Sequence, residues 1–395
     1  MNRFAILALA VTGISLPARG ERPVVAAATA APRPGGGGAS SASPYAGLDL
    51  RRVRRRDGAY VQQTSEGRTI VTTFDARLQR AMERMLRENR VPWGSVVALD
   101  PRTGRVLALA QHSERQPDRA DLFADATAPA ASVFKVITAA ALVERAGLGP
   151  EASVCYHGGG ERLFEHNLVD DPARDTACAN LGDAIGRSIN PVIAKLSLQH
   201  LDAAGLLGTA ESFGFNQEIP FELPVETSRA EIPRDRLERG RASAGFWHTH
   251  LSPMHGALLA QAIAQDGSML RPWMVHEVKD ASGETVYRGR SRFWRTAVKG
   301  STAHTLNRMM RNTVTRGTSR RAFFPAGRPF LPGIEIAGKT GTLNNRDPYR
   351  AYTWWVGFAP ADRPRIAIGV LVANTAQWRI KANDVARETL KAYLR

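Results

Sequence analysis

The sequence predicts an α+β fold that combines a β-sheet with a mostly helical part. An apolar hairpin lies near residue 100, and further strand-like segments occur at 334–342, 352–358 and 366–372. The middle of the chain, from Ser132 to about Gly267, has a helical pattern instead. A final helical segment at 383–394 would close over the sheet. With 395 residues, of which 43% are apolar and 23% charged, the chain has the composition of an ordinary globular protein, and a fibrous or wholly disordered protein is excluded.

The first 30 residues have the features of an export signal. Asn2-Arg3 provides a positively charged start, Phe4–Ile14 an apolar stretch, and Ala28-Thr29-Ala30 a cleavage site of small residues. The apolar stretch is shorter than the roughly 20 residues that cross a bilayer. We therefore expect a periplasmic or secreted protein, with an uncleaved tether to the inner membrane as the alternative.

Residues 31–57 are predicted to be a flexible linker, because Pro32–Pro44 is rich in Pro, Gly, Ala and Ser. The linker ends in the arginine-rich run Arg51–Arg56, the densest basic segment of a chain with a net charge of +16 and a pI of about 10.6. Such a run would attract the protein to anionic lipid or wall polymer. The alternative is a solvated tether without a specific partner. Export argues against a nucleic-acid partner.

The first ordered elements are expected to be a strand, a helix and a hairpin. Thr69–Thr73 is strand-like, and 75–86 is an amphipathic helix that begins on Asp75, a residue type that caps helices. Gly94–Leu99 and Arg105–Ala110 are apolar strands, and the residues between them have the composition of a turn.

Ser132 and Lys135 begin a nearly wholly apolar helical segment, Ala130–Val143. At positions i and i+3 their side chains project from one face of a helix. A lysine removes a proton from a serine hydroxyl only when burial and a neighbouring cation lower the pKa of that lysine. The chain has seven lysines among its 53 basic residues. Arginine, which fills the other positions, cannot act as the base. For this pair alone, the alternative is a helix-capping serine and a surface lysine.

Cys155 and Cys178 enclose a polar segment without helical or strand periodicity. In an oxidising compartment, a disulfide that closes this loop would add roughly 3 kcal/mol of stability. The alternative is two unpaired thiols, because two cysteines in a sequence do not prove a pairing.

Two more motifs follow Ser132-Val133-Phe134-Lys135. Ser188-Ile189-Asn190 precedes the apolar helical segment Pro191–Leu196, and Lys339-Thr340-Gly341-Thr342 ends a strand-like segment. The order S-x-x-K, S-x-N and K-T-G is typical of serine penicillin-binding proteins and β-lactamases.

From about Thr69 to its C-terminus, the chain resembles the penicillin-binding transpeptidase domain of bifunctional wall synthases. Beyond the three motifs, the similarity extends over Thr72–Gln79, Gly94–Ala110, Leu251–Met254, Ala262–Gly267 and Trp354–Pro360. It implies a β-lactamase/transpeptidase-like fold at 58–395, with a five-stranded antiparallel sheet flanked by helices, a helical subdomain at about 132–267, and the site between them. The sequence leaves no room for the synthases' glycosyltransferase domain, so we expect a transpeptidase module and a separate glycosyltransferase as its candidate partner.

The resemblance further implies acyl transfer from peptidoglycan stem peptides that end in D-alanyl-D-alanine, and binding of β-lactam antibiotics. Ser132 would attack the penultimate carbonyl and form an ester, while Lys135 accepts and returns the proton. Ser188 would relay a proton to the leaving amine, and Asn190 would hold Lys135 and the substrate amide. The backbone N–H groups of Ser132 and Thr342 would form the oxyanion hole.

For the K-T-G motif, the resemblance implies binding of the terminal carboxylate of the substrate. Lys339 would supply positive charge that keeps Lys135 neutral and attracts the carboxylate. Side chains alternate along a strand, so Thr340 and Thr342 would present their hydroxyls on one face, and Gly341 would allow a close backbone approach. No metal or other cofactor is needed.

Related functions stay open. If water attacks the ester, the protein is a D,D-carboxypeptidase, and if water attacks a penicilloyl ester quickly, it is a β-lactamase. The absence of an E-x-x-L-N stretch between Pro191 and Pro233 argues against a class A β-lactamase, and S-x-N in place of S-x-V argues against the oxacillinase type. A non-catalytic penicillin sensor or a scaffold for wall synthesis is the alternative from another class.

The sequence His248-Thr249-His250, with His255, is similar to a metal-binding cluster. We expect surface or core histidines instead, because we find no nearby acidic partner and the implied reaction has no metal step.

Overall fold

The computed structural model describes residues Ser43–Arg395. The predicted export signal and the first part of the predicted linker lie outside the described residues. The strands, in chain order, are β1 Arg54–Arg56, β2 Ala59–Gln63, β3 Thr69–Thr72, β4 Trp93–Leu99, β5 Val106–His112, β6 Ser153–Tyr156, β7 Ala177–Asn180, β8 Ser268–Leu270, β9 Val275–Lys279, β10 Thr285–Arg288, β11 Phe293–Thr296, β12 Ala337–Arg346, β13 Tyr349–Ala359 and β14 Ile366–Asn374. The α-helices are α1 Ala76–Glu88, α2 Lys135–Ala146, α3 Leu181–Arg187, α4 Asn190–His200, α5 Ala203–Ser212, α6 Arg236–Ala244, α7 Pro253–Ala264, α8 Gly300–Thr315, α9 Arg320–Phe323 and α10 Ala382–Leu394. None of these helices is long and apolar enough to cross a membrane.

Five strands form the main antiparallel sheet, in the order β12-β13-β14-β4-β5. This sheet and the helices around it confirm the predicted α+β class and its five-stranded arrangement. The strand predicted at 334–342 is displaced, because β12 begins at Ala337 and continues to Arg346. Its second half contains Asn344, Asn345 and Arg346, so it lacks the apolar signal of a strand and is specified by its pairing with β13.

Helices cover both faces of the main sheet. On one face α1 begins after Asp75, as predicted, with the Asp75 carboxylate accepting a hydrogen bond from Leu78 N–H at 2.8 Å. Leu78 and Leu390 of α10 lie in the hydrophobic core on this face. Helix α7 packs on the other face so closely that a Cβ added at Gly369 of β14 would lie 2.4 Å from the Pro253 carbonyl oxygen. Only glycine permits this approach, which places the helical part directly against the sheet.

The middle of the chain forms the predicted helical part, α2 to α7, with one interruption. Strands β6 and β7 form a two-stranded hairpin in which Cys155 and Cys178 lie opposite each other, and a disulfide joins them. The expectation of no strand structure in this region is therefore wrong at both ends of the loop. Each strand has only four residues, and the exposure of β7 does not alternate, so the sequence carries too short a period-two pattern to detect.

A second antiparallel sheet has the order β1-β2-β3-β9-β10, and the sequence predicts only its strand at Thr69–Thr72. The linker prediction is wrong in its last part, because Leu50–Arg52 is a 3-10 helix and Arg54–Arg56 pairs with β2. All three arginines of β1 are exposed. Charged side chains are common on edge strands, where they prevent pairing with other chains. A run of charges gives no alternating pattern, which explains why this strand was not predicted.

Candidate active site

The three sequence motifs meet at a cleft between β12, an edge strand of the main sheet, and the helical part. The cleft has a volume of about 1280 Å³. The predicted residues that line it are Ser132, Ser188, Asn190, Thr340 and Thr342. Lys135 and Lys339 are fully buried and contact the residues of this lining.

Ser132 lies in a tight turn before α2. Residues Ala131–Val133 form a single 3-10 turn, and α2 starts at Lys135 after Phe134, whose side chain makes no capping hydrogen bond. The alternative in which Ser132 only caps the helix is therefore contradicted. Since the backbone does not use the Ser132 hydroxyl, that hydroxyl is free to contact Lys135.

Close backbone approaches fix this turn. Ala131 has a φ of +49°, in the left-handed region that residues with a Cβ rarely adopt. A Cβ added at Gly245 would lie 2.0 Å from the Ala131 carbonyl oxygen, and one at Gly341 would lie 3.2 Å from the Ala130 carbonyl oxygen. The backbone at Gly341 therefore lies close to the turn that carries Ser132.

Lys135 is at the centre of the site. Its Nζ lies 2.6 Å from Ser132 Oγ, 2.5 Å from Asn190 Oδ1 and 3.2 Å from Ser188 Oγ. Burial lowers the pKa of Lys135 well below its usual value, and the positive charge of Lys339 lowers it further. A neutral amine has two N–H donors and one lone pair. Because Asn190 Oδ1 can only accept, it takes one N–H, which leaves the lone pair available for the proton of Ser132.

Ser188 and Asn190 reach the cleft from the junction of α3 and α4. Ser188 ends α3 with a φ of +61°, and Asn190 is the first residue of α4. The Asn190 Nδ2 donates to the Gly160 carbonyl oxygen at 2.6 Å, so its Oδ1 points to Lys135. The left-handed backbone at Ser188 is uncommon for a residue with a side chain and turns its hydroxyl into the site.

Lys339 approaches Ser188 from the sheet. Its Nζ donates to Ser188 Oγ at 3.0 Å and to the Thr340 carbonyl oxygen at 2.9 Å. Burial lowers the pKa of Lys339 to about 7. The positive charge expected of this lysine is therefore pH-dependent near neutrality, because no carboxylate is among its hydrogen-bond partners in residues 43–395.

Thr340 and Thr342 lie on one face of β12, because side chains two residues apart in a strand point to the same face. The register pairs them with Trp355 and Thr353, which are likewise two residues apart in β13. A further residue, Thr318, lines the cleft beside them, and its Oγ1 lies 2.6 Å from Thr340 Oγ1. Thr318 was not predicted from the sequence. It lies outside the three motifs, and a lone threonine after α8 has no local pattern that could indicate this contact.

Two consecutive tryptophans of β13 hold the two sides of the cleft. Trp354 Nε1 donates to the Pro129 carbonyl oxygen at 2.8 Å, shortly before the turn of Ser132. Trp355 Nε1 donates to Ser319 Oγ at 3.1 Å. Successive side chains of a strand point to opposite faces, and both tryptophans are fully buried.

A third buried lysine, also missed, anchors the hairpin of the disulfide. Lys195 Nζ donates to the Cys155 carbonyl oxygen at 2.8 Å and pairs with Asp175 at 2.7 Å. Hydrogen bonds from Lys195 and His157 lower the pKa of Asp175 below its usual range. Lys195 is one of few lysines in an arginine-rich chain, and that rarity was an available signal.

The histidine prediction needs one correction. His248 does have an acidic partner, because its Nε2 lies 2.7 Å from Glu238 Oε2. Glu238 is ten residues away in the sequence. It lies close to His248 because the chain turns back after α6 ends at Ala244. His255 is a core residue, as expected: it is fully buried, and its Nε2 lies 2.8 Å from the Phe213 carbonyl oxygen. Burial lowers the pKa of His255 to about 4.

Comparison with known families agrees with this geometry. The family model described as the penicillin binding protein transpeptidase domain matches residues 94–394, well over half of the chain. The chain belongs to this family. The resemblance inferred from the sequence motifs is thereby confirmed.

Several relatives of the penicillin-binding transpeptidase family are similar along most of the chain. The peptidoglycan D,D-transpeptidase PbpA of Mycobacterium tuberculosis is 28% identical over 366 residues, which cover 84% of this chain and 72% of the relative. The peptidoglycan D,D-transpeptidase FtsI of Escherichia coli is 26% identical over 358 residues, 82% of this chain and 56% of the relative. The crystal structure of PBPA from Mycobacterium tuberculosis superimposes with a TM-score of 0.68 at 26% identity, covering 82% of each chain. A penicillin G acyl-enzyme complex of the same M. tuberculosis protein has a TM-score of 0.65 at 26% identity and covers 82% of this chain and 80% of that one.

Proposed function

We propose that this protein is a penicillin-binding D,D-transpeptidase that cross-links peptidoglycan by way of a serine acyl-enzyme. One observation carries the proposal: a fully buried lysine, Lys135, with a strongly lowered pKa lies 2.6 Å from the hydroxyl of Ser132 at the floor of an open cleft. A base of this kind activates a serine at neutral pH. The names of the relatives support peptidoglycan as the substrate.

In the acylation step, Ser132 Oγ attacks the carbonyl carbon of the penultimate D-alanine while its proton passes to Lys135 Nζ. The C–N bond then breaks, and the leaving D-alanine amine takes up a proton. Ser188 is the relay for this proton, because its Oγ lies 3.2 Å from Lys135 Nζ and 3.0 Å from Lys339 Nζ. Asn190 holds Lys135 by its Oδ1 and has its amide in the cleft to bind the substrate.

The negative charge that develops on the carbonyl oxygen is stabilised by the backbone N–H groups of Ser132 and Thr342. Strand β12 is an edge strand of the main sheet, so alternate N–H groups along it face away from β13 and toward the cleft. Each such donor contributes about 3 kcal/mol to transition-state stabilisation. The terminal carboxylate of the substrate binds the hydroxyls of Thr340 and Thr342 and is attracted by the charge of Lys339, which is buried beneath the cleft lining.

The acceptor in the second step distinguishes a transpeptidase from its hydrolytic relatives. The cleft, at about 1280 Å³, is larger than a typical pocket for one small ligand and has room for a second peptide. Among the described residues, no carboxylate hydrogen-bonds to Ser132, Lys135, Ser188 or Asn190. A rapid hydrolase needs a base for water, so this arrangement favours an amine acceptor over a β-lactamase.

The protein is proposed to act outside the cytoplasm, in the periplasm or as a secreted protein. The predicted export signal and the Cys155–Cys178 disulfide support this location, since disulfides persist in oxidising compartments. The exposed arginines of Arg51–Arg56 supply a contact for anionic lipid or wall polymer. Its proposed partners are peptidoglycan stem peptides and a separate glycosyltransferase that makes the glycan strands.

Intact-mass spectrometry of the purified protein with benzylpenicillin, followed over hours, tests the proposal. The expected result is one stable adduct that is absent from Ser132→Ala and present in Ser65→Ala, which changes an exposed serine of the β2–β3 turn. The products formed from D-alanyl-D-alanine peptides in the presence of an added amine acceptor then separate transpeptidation, which joins the acyl group to the acceptor in a new amide, from carboxypeptidation, which leaves a free carboxylate. Rapid loss of the adduct would identify a β-lactamase. The absence of any adduct would overturn the proposal in favour of a scaffold.

A further inference from the structure

Thr318 lies at the cleft but has no part in the reaction described above. It follows α8 and lines the cleft, and its hydroxyl oxygen lies 2.6 Å from that of Thr340. Thr340 is 9% exposed, so it has little access to water that could replace this partner. The pair therefore forms a hydrogen bond between two hydroxyl groups, of which one donates and the other accepts.

The backbone around Thr318 is fixed from two directions. Its N–H donates to the Gly186 carbonyl oxygen at 3.1 Å, two residues before Ser188. The contact is so close that a Cβ added at Gly317 would lie 1.9 Å from the same oxygen. From the other side, the side chain of Asn383 on α10 accepts from Ser319 Oγ at 3.2 Å. The backbone that carries Thr318 is thus held in place by the helical part and by α10 together.

The chemistry of hydroxyl groups decides the direction of this hydrogen bond once a substrate binds. A carboxylate is only an acceptor, so the Thr340 hydroxyl must donate its single proton to it. The oxygen of Thr340 then accepts from Thr318, and the two bonds run in one direction, from Thr318 through Thr340 to the carboxylate. Hydrogen bonds in such a chain polarise and strengthen one another.

We infer that Thr318 is a positioning residue, which directs the hydroxyl of Thr340 at the carboxylate of the donor peptide and of β-lactams. The inference rests on the proposed function, because it assumes that Thr340 binds this carboxylate. It predicts a selective effect: Thr318 matters for ligands that carry the carboxylate and does not matter for ligands in which that group is uncharged.

The test compares acylation by benzylpenicillin with acylation by its methyl ester, in which the carboxylate is blocked. Rate constants are measured by intact mass for the wild-type protein, Thr318→Val and Thr318→Ser. Valine has the shape of threonine without the hydroxyl. We expect Thr318→Val to slow acylation by benzylpenicillin about tenfold, as for the loss of one charge-assisted hydrogen bond, and to leave the rate with the ester within about twofold. Thr318→Ser should restore the rate with benzylpenicillin.

A double variant makes the test specific to the pair. In Thr340→Val, which lacks the hydroxyl that Thr318 orients, the change of Thr318 to valine should cause no further loss with benzylpenicillin. Equal slowing of both ligands by Thr318→Val, or an unchanged rate with benzylpenicillin, would overturn the inference and leave the proposed function intact. Should Thr318→Val fail to fold, Thr318→Ala is measured in the same way, with the same selective loss expected. A wild-type protein that neither ligand acylates would refute the proposed function and the inference with it.

Discussion

Lys135 and Lys339 approach the same hydroxyl from opposite sides of the cleft, with their Nζ atoms 3.2 and 3.0 Å from Ser188 Oγ. Both amines are fully buried. Two buried positive charges that contact the same hydroxyl oxygen repel each other strongly. The pair therefore favours the state in which only one of the two amines carries a proton. Burial and the charge of Lys339 keep Lys135 neutral, which leaves the proton on Lys339.

This pair predicts a bell-shaped pH dependence of acylation by benzylpenicillin. The pKa of Lys339 is lowered to about 7, so its charge, and with it the attraction of the carboxylate, is lost as the pH rises through that value. The rising limb at lower pH reports deprotonation of Lys135, whose pKa is well below its usual value. The measurement is the second-order acylation rate at a series of pH values.

Lys339→Arg is the variant that identifies the falling limb. Arginine keeps its proton throughout this pH range, so we expect the falling limb to disappear although the maximal rate is lower. Lys339→Gln removes the charge and should move the rising limb to higher pH, because no cation then lowers the pKa of Lys135. An unchanged falling limb in Lys339→Arg would assign that limb to another group.

Asn190→Asp is predicted to make Lys135 a poorer base while keeping the oxygen that accepts a hydrogen bond from it. The new carboxylate would lie where Oδ1 lies now, 2.5 Å from Lys135 Nζ, and its negative charge would raise the pKa of Lys135. We expect acylation at pH 7 to fall at least about tenfold and the rising limb of the pH profile to move to higher pH. Asn344→Asp is the matched control, since it adds the same charge to the cleft lining and Asn344 makes no hydrogen bond to Lys135. Equal losses in both variants would indicate a general effect of charge in the cleft.

Gly245→Ala is predicted to displace the turn that carries Ser132. Gly245 has a φ of +88°, and its new Cβ would lie 2.0 Å from the Ala131 carbonyl oxygen, so backbone must move. We expect acylation to fall about 100-fold or more, because misplacement of a reacting group by about 1 Å has an effect of that size. Gly147→Ala is the control: Gly147 also has a positive φ, but nothing lies within 4 Å of its added Cβ.

For Gly147→Ala, only the backbone strain of roughly 1 kcal/mol should appear, as a small decrease in thermal stability with normal acylation. Normal acylation in Gly245→Ala as well would show that the site tolerates displacement of this turn. Thermal melting of both variants separates loss of the fold from loss of the site.

Replacement of both Cys155 and Cys178 by serine is predicted to lower the melting temperature. The disulfide closes a loop with a sequence separation of 23, which corresponds to about 3 kcal/mol and a decrease of about 5 °C in a domain of this size. A reductant should lower the melting temperature of the wild-type protein similarly and leave that of the double variant unchanged. A reductant that destabilises both proteins equally would contradict this assignment.

The candidate reacting groups of the site could be predicted from the sequence. The residues that hold these groups in position could not. Ser132, Lys135, Ser188, Asn190 and Lys339 lie in short motifs, and these motifs contain two of the seven lysines of the chain. Their contacts required the fold. The turn at Ser132 could not be predicted, because it depends on the close approach of Gly245, which is more than 100 residues away in the sequence.

The elements that were missed lack the pattern on which sequence prediction depends. Strand β1 is a run of exposed arginines, and the second half of β12 is polar, so neither alternates apolar with polar residues. Thr318 reaches Thr340 by a contact across 22 residues that no periodicity reflects. Long, buried elements such as β4, β5 and β14 were predicted, because their apolar runs are determined by burial alone.

The adjacent tryptophans of β13 connect the two sides of the cleft to one strand. Trp354 holds the segment that enters the Ser132 turn, and Trp355 holds Ser319, the neighbour of Thr318. The two residues are joined by one peptide bond in a strand that pairs with both β12 and β14, so the Ser132 turn and the segment of Thr318 are attached to the same strand. We therefore expect the spacing between the Ser132 turn and the segment of Thr318 to change little when a ligand binds.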